Sequence, residues 1–301
     1  MKPEIIFLGT SSAVPTAKRN HTSIYLRYKE ENILIDCGEG TQRQLRIAKL
    51  NPCKINRILL THVHGDHVFG LPGLFQTLVL NNYSRKLFIY GPKGTKKLIE
   101  DIFRVFVRTK NIQTEIKEVK NEFLNTKDFI IKAYELEHDT PCNGYTFIEK
   151  DKIRIDKKKL KQLKVPSHPD LSKLLQKKDV IINNKKLQYK KLTYTQKGKK
   201  ISFIFDTRYC KNAKKLAENS DIAIIESTFS SETKGLEDTA KEYYHLTAAQ
   251  AAKIAKESRV KKLILTHLSQ RYEKNPEKIL KEAKKVFPNT ILAEDFMKIE
   301  I

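Results

Sequence analysis

The chain has no apolar run approaching the roughly eighteen residues that a membrane-spanning helix needs. Its opening Met1-Lys2-Pro3-Glu4 leads straight into a strand-like segment, without the charged leader and long apolar core of an export signal. These absences predict a cytoplasmic protein without membrane contact. Cysteine is sparse as well. Cys37, Cys53, Cys142 and Cys210 stand singly with no Cys-x-x-Cys pair, which argues against a disulfide scaffold or a thiolate zinc finger. They are expected as small buried hydrophobes, and a bystander place beside Asp36 and Asp206 is the lesser alternative for Cys37 and Cys210.

What the chain has in excess is positive charge: 58 Lys and Arg against 35 Asp and Glu, a net +23 over 301 residues. Such an excess attracts a polyanion such as nucleic acid. A composition rich in Lys, Glu and Ile can also reflect heat adaptation, so the distribution must decide. Positions 151 to 200 hold 17 Lys and Arg against 4 Asp and Glu, which places over half of the surplus in one sixth of the length. Between Ile148 and Thr193 apolar periodicity breaks down, and residues 150–192 read as an arm inserted in a single domain. Leu160, Leu163, Leu171, Leu174 and Leu175 would give its short helices something to bury. A disordered lysine-rich insertion is the alternative.

Outside the arm, apolar runs and turn signals alternate as in layered α/β folds. Strands are predicted over Ile5–Thr10, Ser23–Tyr28, Asn32–Gly38, Arg57–Leu60, Lys86–Tyr90, Ile116–Val119, Phe129–Leu136, Ile201–Phe205, Ile222–Ile225 and Lys262–Leu265. Helices are predicted from Gly40 to near Asn51-Pro52, from just after Leu71-Pro72-Gly73 to Leu80, from Thr95 to Val107, Ala213 to Glu218 and, capped by Thr247, to Lys256. Several of these strands end in a potential ligand: His62, His138, Asp206, Glu226 and His267. Residues at the ends of adjacent strands converge in space.

The densest group is Thr61-His62-Val63-His64-Gly65-Asp66-His67, on a turn after Ile58-Leu59-Leu60. Imidazole and carboxylate suit Zn²⁺ and its neighbours, and this turn offers more donors than one catalytic zinc takes. The surplus points to two metals.

The His-x-His-x-Asp-His turn resembles that of the metallo-β-lactamase fold. Phe7 to Pro15, Leu34 to Gln42, Glu226-Ser227-Thr228-Phe229, His245 to Ala252 and Leu265 to Tyr272 resemble ribonuclease Z, the tRNA 3′-end endonuclease family, over nearly the whole chain. The resemblance implies a four-layer αββα sandwich with two Zn²⁺ per subunit. Carried over by position, His62, His64 and His138 would hold one metal, Asp66, His67 and His267 the other, and Asp206 would bridge them. Asp66 would orient or accept the proton of the attacking water, His245 would protonate the leaving 3′ oxygen, and Glu226 would orient His245. The basic arm corresponds to an exosite for precursor tRNA, and a homodimer is implied. His21 and His168 receive no ligand role; His168 would face solvent or RNA.

Three departures stand out. Phe205 precedes Asp206 where glycine is usual, which would crowd the metal turn. In Pro15-Thr16-Ala17-Lys18-Arg19-Asn20, Ala17 stands where lysine is common. The arm also lacks glycine around Pro166–Pro169, which would stiffen it. Fold alone leaves a second function open, a small-molecule ester, lactone or thioester hydrolase.

Overall fold

The computed structural model describes residues 2–107, 112–183 and 185–301. Asn184, inside the expected arm, lies outside them. Its framework is two seven-stranded sheets. In the first, the strands run in the order Lys298–Glu300, Glu4–Gly9, Ser23–Tyr28, Glu31–Ile35, Arg57–Leu59, Leu87–Gly91 and Thr114–Glu118. In the second, they run Thr290–Leu292, Lys262–Thr266, Ile222–Glu226, Lys200–Ile204, Cys142–Glu149, Phe129–Leu136 and Asn121–Asn125.

The strands read as continuous apolar runs because both of their faces are buried. Leu34 joins a cluster with Leu74, Phe75 and Ile99 from helices Leu71–Leu80 and Thr95–Phe106, whereas its fully buried neighbours Ile33 and Ile35 belong to the opposite face. In the second sheet Leu263 and Leu265 pack with Ala251, Ala252 and Ile279 from helices Ala248–Glu257 and Glu277–Val286, and Ile264 takes the other face. Between the sheets, the Tyr145 hydroxyl donates to the Leu60 carbonyl at 2.6 Å and the Tyr28 and Phe147 rings meet edge to face at 5.4 Å. This is the expected four-layer αββα order.

Several boundaries differ from expectation. The strand predicted over Asn32–Gly38 stops at Ile35, because Asp36 turns into the left-handed region with φ 56°. The helix after Gly40 ends at Ile47, short of Pro52. Strands Asn121–Asn125, Cys142–Glu149, Thr290–Leu292 and Lys298–Glu300 and helices Leu236–Glu242 and Glu277–Val286 were not predicted.

Residues 126–129 and 148–199 cluster as a second compact unit. It has two antiparallel pairs, Lys152–Ile155 with Thr193–Gln196 and Val180–Ile182 with Lys185–Leu187, and helices Lys157–Gln162, Leu171–Leu175 and Tyr189–Leu192. Leu160, Leu174, Val180, Ile182, Leu187 and Leu192 form its small core. Of the leucines expected there, Leu160 and Leu174 are buried and Leu171 is half-buried, whereas Leu163 and Leu175 are exposed. Helices this short present only one buried position each.

All four cysteines are free; Cys37, Cys142 and Cys210 are buried and Cys53 is half-buried. Among the described residues no helix is long and apolar enough to cross a membrane.

Candidate metal centre

Strand ends assemble the site. His62 follows the strand Arg57–Leu59, His138 follows Phe129–Leu136, Asp206 follows Lys200–Ile204, and His267 follows Lys262–Thr266. Asp36, Asp206 and His267 all take positive φ, at 56°, 43° and 58°. Such backbone is uncommon for side-chain-bearing residues and is retained where a turn must aim a group. Gly38 lets the His-x-His-x-Asp-His turn sit close: a Cβ there would meet the Asp66 carbonyl at 2.3 Å.

Two donor groups result, and they share one carboxylate. His62, His64, His138 and Asp206 form one, and Asp66, His67, Asp206 and His267 the other, each with donor atoms within 4.8 Å of one another. His64 Nδ1 lies 3.2 Å from His138 Nε2, and His62 Nε2 lies 3.5 Å from Asp206 Oδ2. In the second group His67 Nε2 is 3.2 Å from His267 Nε2, and Asp66 Oδ2 is 3.4 Å from both. Donors bonded to one ion at about 2.0–2.2 Å stand roughly 3.3–3.5 Å apart, so these spacings suit a shared cation.

Two further observations test the fit. His62 Nε2 and Asp206 Oδ1 are buried without a hydrogen-bond partner, an arrangement that is costly unless something else satisfies them. The remote nitrogens, by contrast, have partners. His67 Nδ1 donates to Asp36 Oδ2 at 2.8 Å. The Thr61 hydroxyl donates to Asp36 at 2.8 Å and so accepts from His62 Nδ1 at 3.0 Å. The Thr228 hydroxyl donates to Glu226 at 2.6 Å and accepts from His267 Nδ1 at 2.9 Å. His138 Nδ1 faces the Tyr244 carbonyl at 3.4 Å, and His64 Nε2 lies 3.4 Å from Asp139. Fixing the remote nitrogen leaves the other nitrogen's lone pair free, as metal-ligating histidines require. The residues fit a metal centre.

The electrostatics follow from this crowding. Burial disfavours charge on Asp66, but His67 and hydrogen bonds from His267 and His67 outweigh it and hold the carboxyl well below its usual range. Burial opposes charge on His67 too, yet Asp206, Asp66 and Asp36 hold it well above the ordinary histidine range. His62, buried and beside His67, is held well below it, and burial lowers His138.

Beside the second group stand Glu226, His245 and His267. Glu226 is fully buried and accepts from His245 Nδ1 at 3.1 Å, from the Thr207 N–H at 2.8 Å and from Thr228. Burial pulls the His245 imidazole down, but the Glu226 charge and hydrogen bond overcome this and push it up to about 9. Asp66, Asp206, His64, His267 and His245 line one cleft of about 310 Å³.

The sequence-predicted site residues thus fall in the two donor groups and the neighbouring Glu226, His245 and His267 group, and His64, Asp66, Asp206, His245 and His267 among them line one cleft. Asp36, Thr61 and Thr228 were missed; Asp36 alone carried a signal, as an acid directly after a strand. Phe205 is fully buried, and its carbonyl accepts from the Cys142 thiol at 3.6 Å. Arg19 is an internal strut, with Nη1 donating to Thr10 Oγ1 at 2.7 Å and to the Ala293 carbonyl at 2.6 Å, while Ala17 and Lys18 are exposed. His21 is buried against the Ala13 carbonyl at 3.2 Å, and His168 lies exposed in the smaller unit.

Known proteins are similar to this chain over nearly its whole length. Ribonuclease Z of Methanothermobacter thermautotrophicus is 40% identical over 300 residues, covering 99% of this chain and 96% of that one. Ribonuclease Z of Archaeoglobus fulgidus is 38% identical over 303 residues, covering 99% and 97%. The chain belongs to the ribonuclease Z family. Residues 3–164, which include His62 to His67 and His138, match the family model described as anti-Pycsar protein Apyc1, and the chain belongs to that family as well. The human tRNase Z, short form, superposes with a TM-score of 0.71 at 29% identity, covering 98% of each chain. A metallo-β-lactamase fold protein from Bacillus subtilis superposes at 0.72 over 100% of each chain and, at 18% identity, bears on the fold alone. Family membership and the donor groups together make this chain a metal-dependent nuclease of the metallo-β-lactamase fold.

Proposed function

We propose that this enzyme removes the 3′ trailer from precursor tRNA, leaving a 3′ hydroxyl on the tRNA and a 5′ phosphate on the trailer. The observation that carries this reading is the placing of two donor groups that share Asp206 next to the His245–Glu226 pair, which adjoins them through His267. Ester or thioester hydrolysis does not need that pair, whereas expelling a sugar oxygen does. His62, His64 and His138 would hold one Zn²⁺, Asp66, His67 and His267 a second, and Asp206 would contact both. Bound zinc would neutralise charge on the scissile phosphate and make water nucleophilic near neutral pH.

The chain's own residues do the rest. Oδ2 of Asp66 faces His67 and His267, which leaves its other oxygen to take the proton of the attacking water. Glu226 engages His245 Nδ1 and keeps the imidazole charged, so His245 Nε2 is the donor for the departing 3′ oxygen. Residues 150–192 act as the tRNA-binding exosite, because folded RNA is held largely through its phosphates and shape. The working unit is a homodimer in the cytoplasm, which light scattering of the purified protein and imaging of a tagged chain would check.

The experiment is cleavage of a 3′-extended precursor tRNA by purified protein with and without chelator, with the cut mapped to a nucleotide. A metal-dependent cut after the discriminator nucleotide is expected. A protein that holds zinc, hydrolyses a small ester and leaves the tRNA uncut would overturn the reading.

A further inference from the structure

The cleft has an apolar rim that the chemistry leaves unused. Val14 and Tyr243, 45% and 59% exposed, are large hydrophobic side chains that line the same cleft as Asp66, Asp206 and His245. Solvent-exposed aromatic surface beside buried charge calls for an explanation, since such surface on a cleft wall usually meets a ligand.

Tyr243 stands on a rigid base. It terminates the helix Leu236–Glu242, with its N–H donating to the Thr239 carbonyl. Tyr244 then takes the left-handed conformation at φ 59°, and the His245 N–H returns to the Ala240 carbonyl at 2.8 Å. That turn is normally glycine's, and here the bulky residue is held by the Arg208 guanidinium lying 3.6 Å over the Tyr244 ring. Arg208 Nε in turn donates to the Lys241 carbonyl at 2.8 Å. The turn that presents His245 therefore also presents the Tyr243 ring, two residues away, in a preset position.

Resting on the function proposed above, the scissile bond lies in an unpaired strand. No complementary strand fixes the nucleotides beside it, and proteins hold such nucleotides by stacking bases on aromatic faces. His245 serves the oxygen that stays with the tRNA, so a ring on the same turn belongs to the nucleotide carrying that oxygen. We propose that Tyr243 is the stacking platform for the base of the last retained nucleotide and sets its register against the cut.

The test pairs protein and RNA changes. Tyr243→Ala and Tyr243→Leu should lower kcat/KM on precursor tRNA by about 10- to 100-fold, while Tyr243→Phe stays within about twofold. On a precursor abasic at the last retained nucleotide, the Ala and Leu penalties should shrink below about threefold, and on one abasic at the first trailer nucleotide they should persist. Zinc content and thermal midpoint, measured for every variant, should match the unsubstituted protein. Penalties that persist on both abasic substrates, that vanish only on the trailer-abasic one, or that accompany lost zinc would overturn the platform. If the unsubstituted protein leaves precursor tRNA uncut, the functional reading itself fails, which is a different result from cutting without coupling.

Discussion

The metal cleft and the basic unit of residues 126–129 and 148–199 solve opposite problems. In the cleft, the five histidines of the two donor groups each have a partner at the remote nitrogen, and the carboxylates Asp36 and Glu226 are buried with their acceptors filled. In the basic unit, six buried side chains hold together a scaffold whose lysines are mostly exposed and paired, where paired at all, at the surface. Chemistry requires atoms fixed to within fractions of an ångström, so it is built on strand ends and backed by a second layer of partners. Attraction of a polyanion requires only charge density, and exposed ion pairs there add little stability. One region should be intolerant of single substitutions, and the other should respond to the sum of its charges.

The sharpest break in that comparison is His245→Ala. It should slow RNA cleavage by about 10²- to 10⁴-fold, the scale of a lost general acid, and slow bis(p-nitrophenyl) phosphate hydrolysis far less because that leaving group needs no proton. The pH profile gives the sign. His245 donates only while protonated, so kcat/KM on RNA should fall as pH rises through about 9. Glu226→Gln removes the charge that raises His245 and should bring that fall to lower pH; an unmoved profile would remove the imidazole from the proton's path.

A smaller effect tests the partners behind the ligands. Asp36→Asn leaves all direct ligands in place but weakens the hold on His67 and Thr61. Zinc affinity by competition with a chelating dye should fall by about 10- to 100-fold. Unchanged affinity with a lower thermal midpoint would make Asp36 structural only.

How far the sequence could be read follows the same division. The donor groups are legible because largely apolar strands end abruptly in His, Asp or Glu, as at Ile204 to Asp206 and Leu265 to His267. The strand Cys142–Glu149 was not, because its interior carries Asn143, Gly144 and Tyr145, whose polarity is satisfied only in three dimensions: Asn143 donates to the Val119 carbonyl at 3.0 Å and Tyr145 to Leu60. Asn121–Asn125 was hidden for a different reason, as a partly exposed edge strand with polar residues at both ends. Thr61 and Thr228 gave no signal because a threonine next to a ligand is unremarkable until its acceptor arrives from 25 positions away, or its imidazole partner from 39. In the basic unit, counting lysines located the region but did not identify which leucines turn inward.

The most direct measurement deletes residues 152–192, joins the ends with a short Gly/Ser linker, and compares precursor tRNA with bis(p-nitrophenyl) phosphate. Residues outside the basic unit hold every side chain of the three donor groups. The division of labour predicts that the small phosphodiester is hydrolysed at close to the undeleted rate while tRNA cleavage collapses through KM. Loss of both activities in a folded, zinc-loaded protein, or tRNA cleavage that survives the deletion, would contradict it.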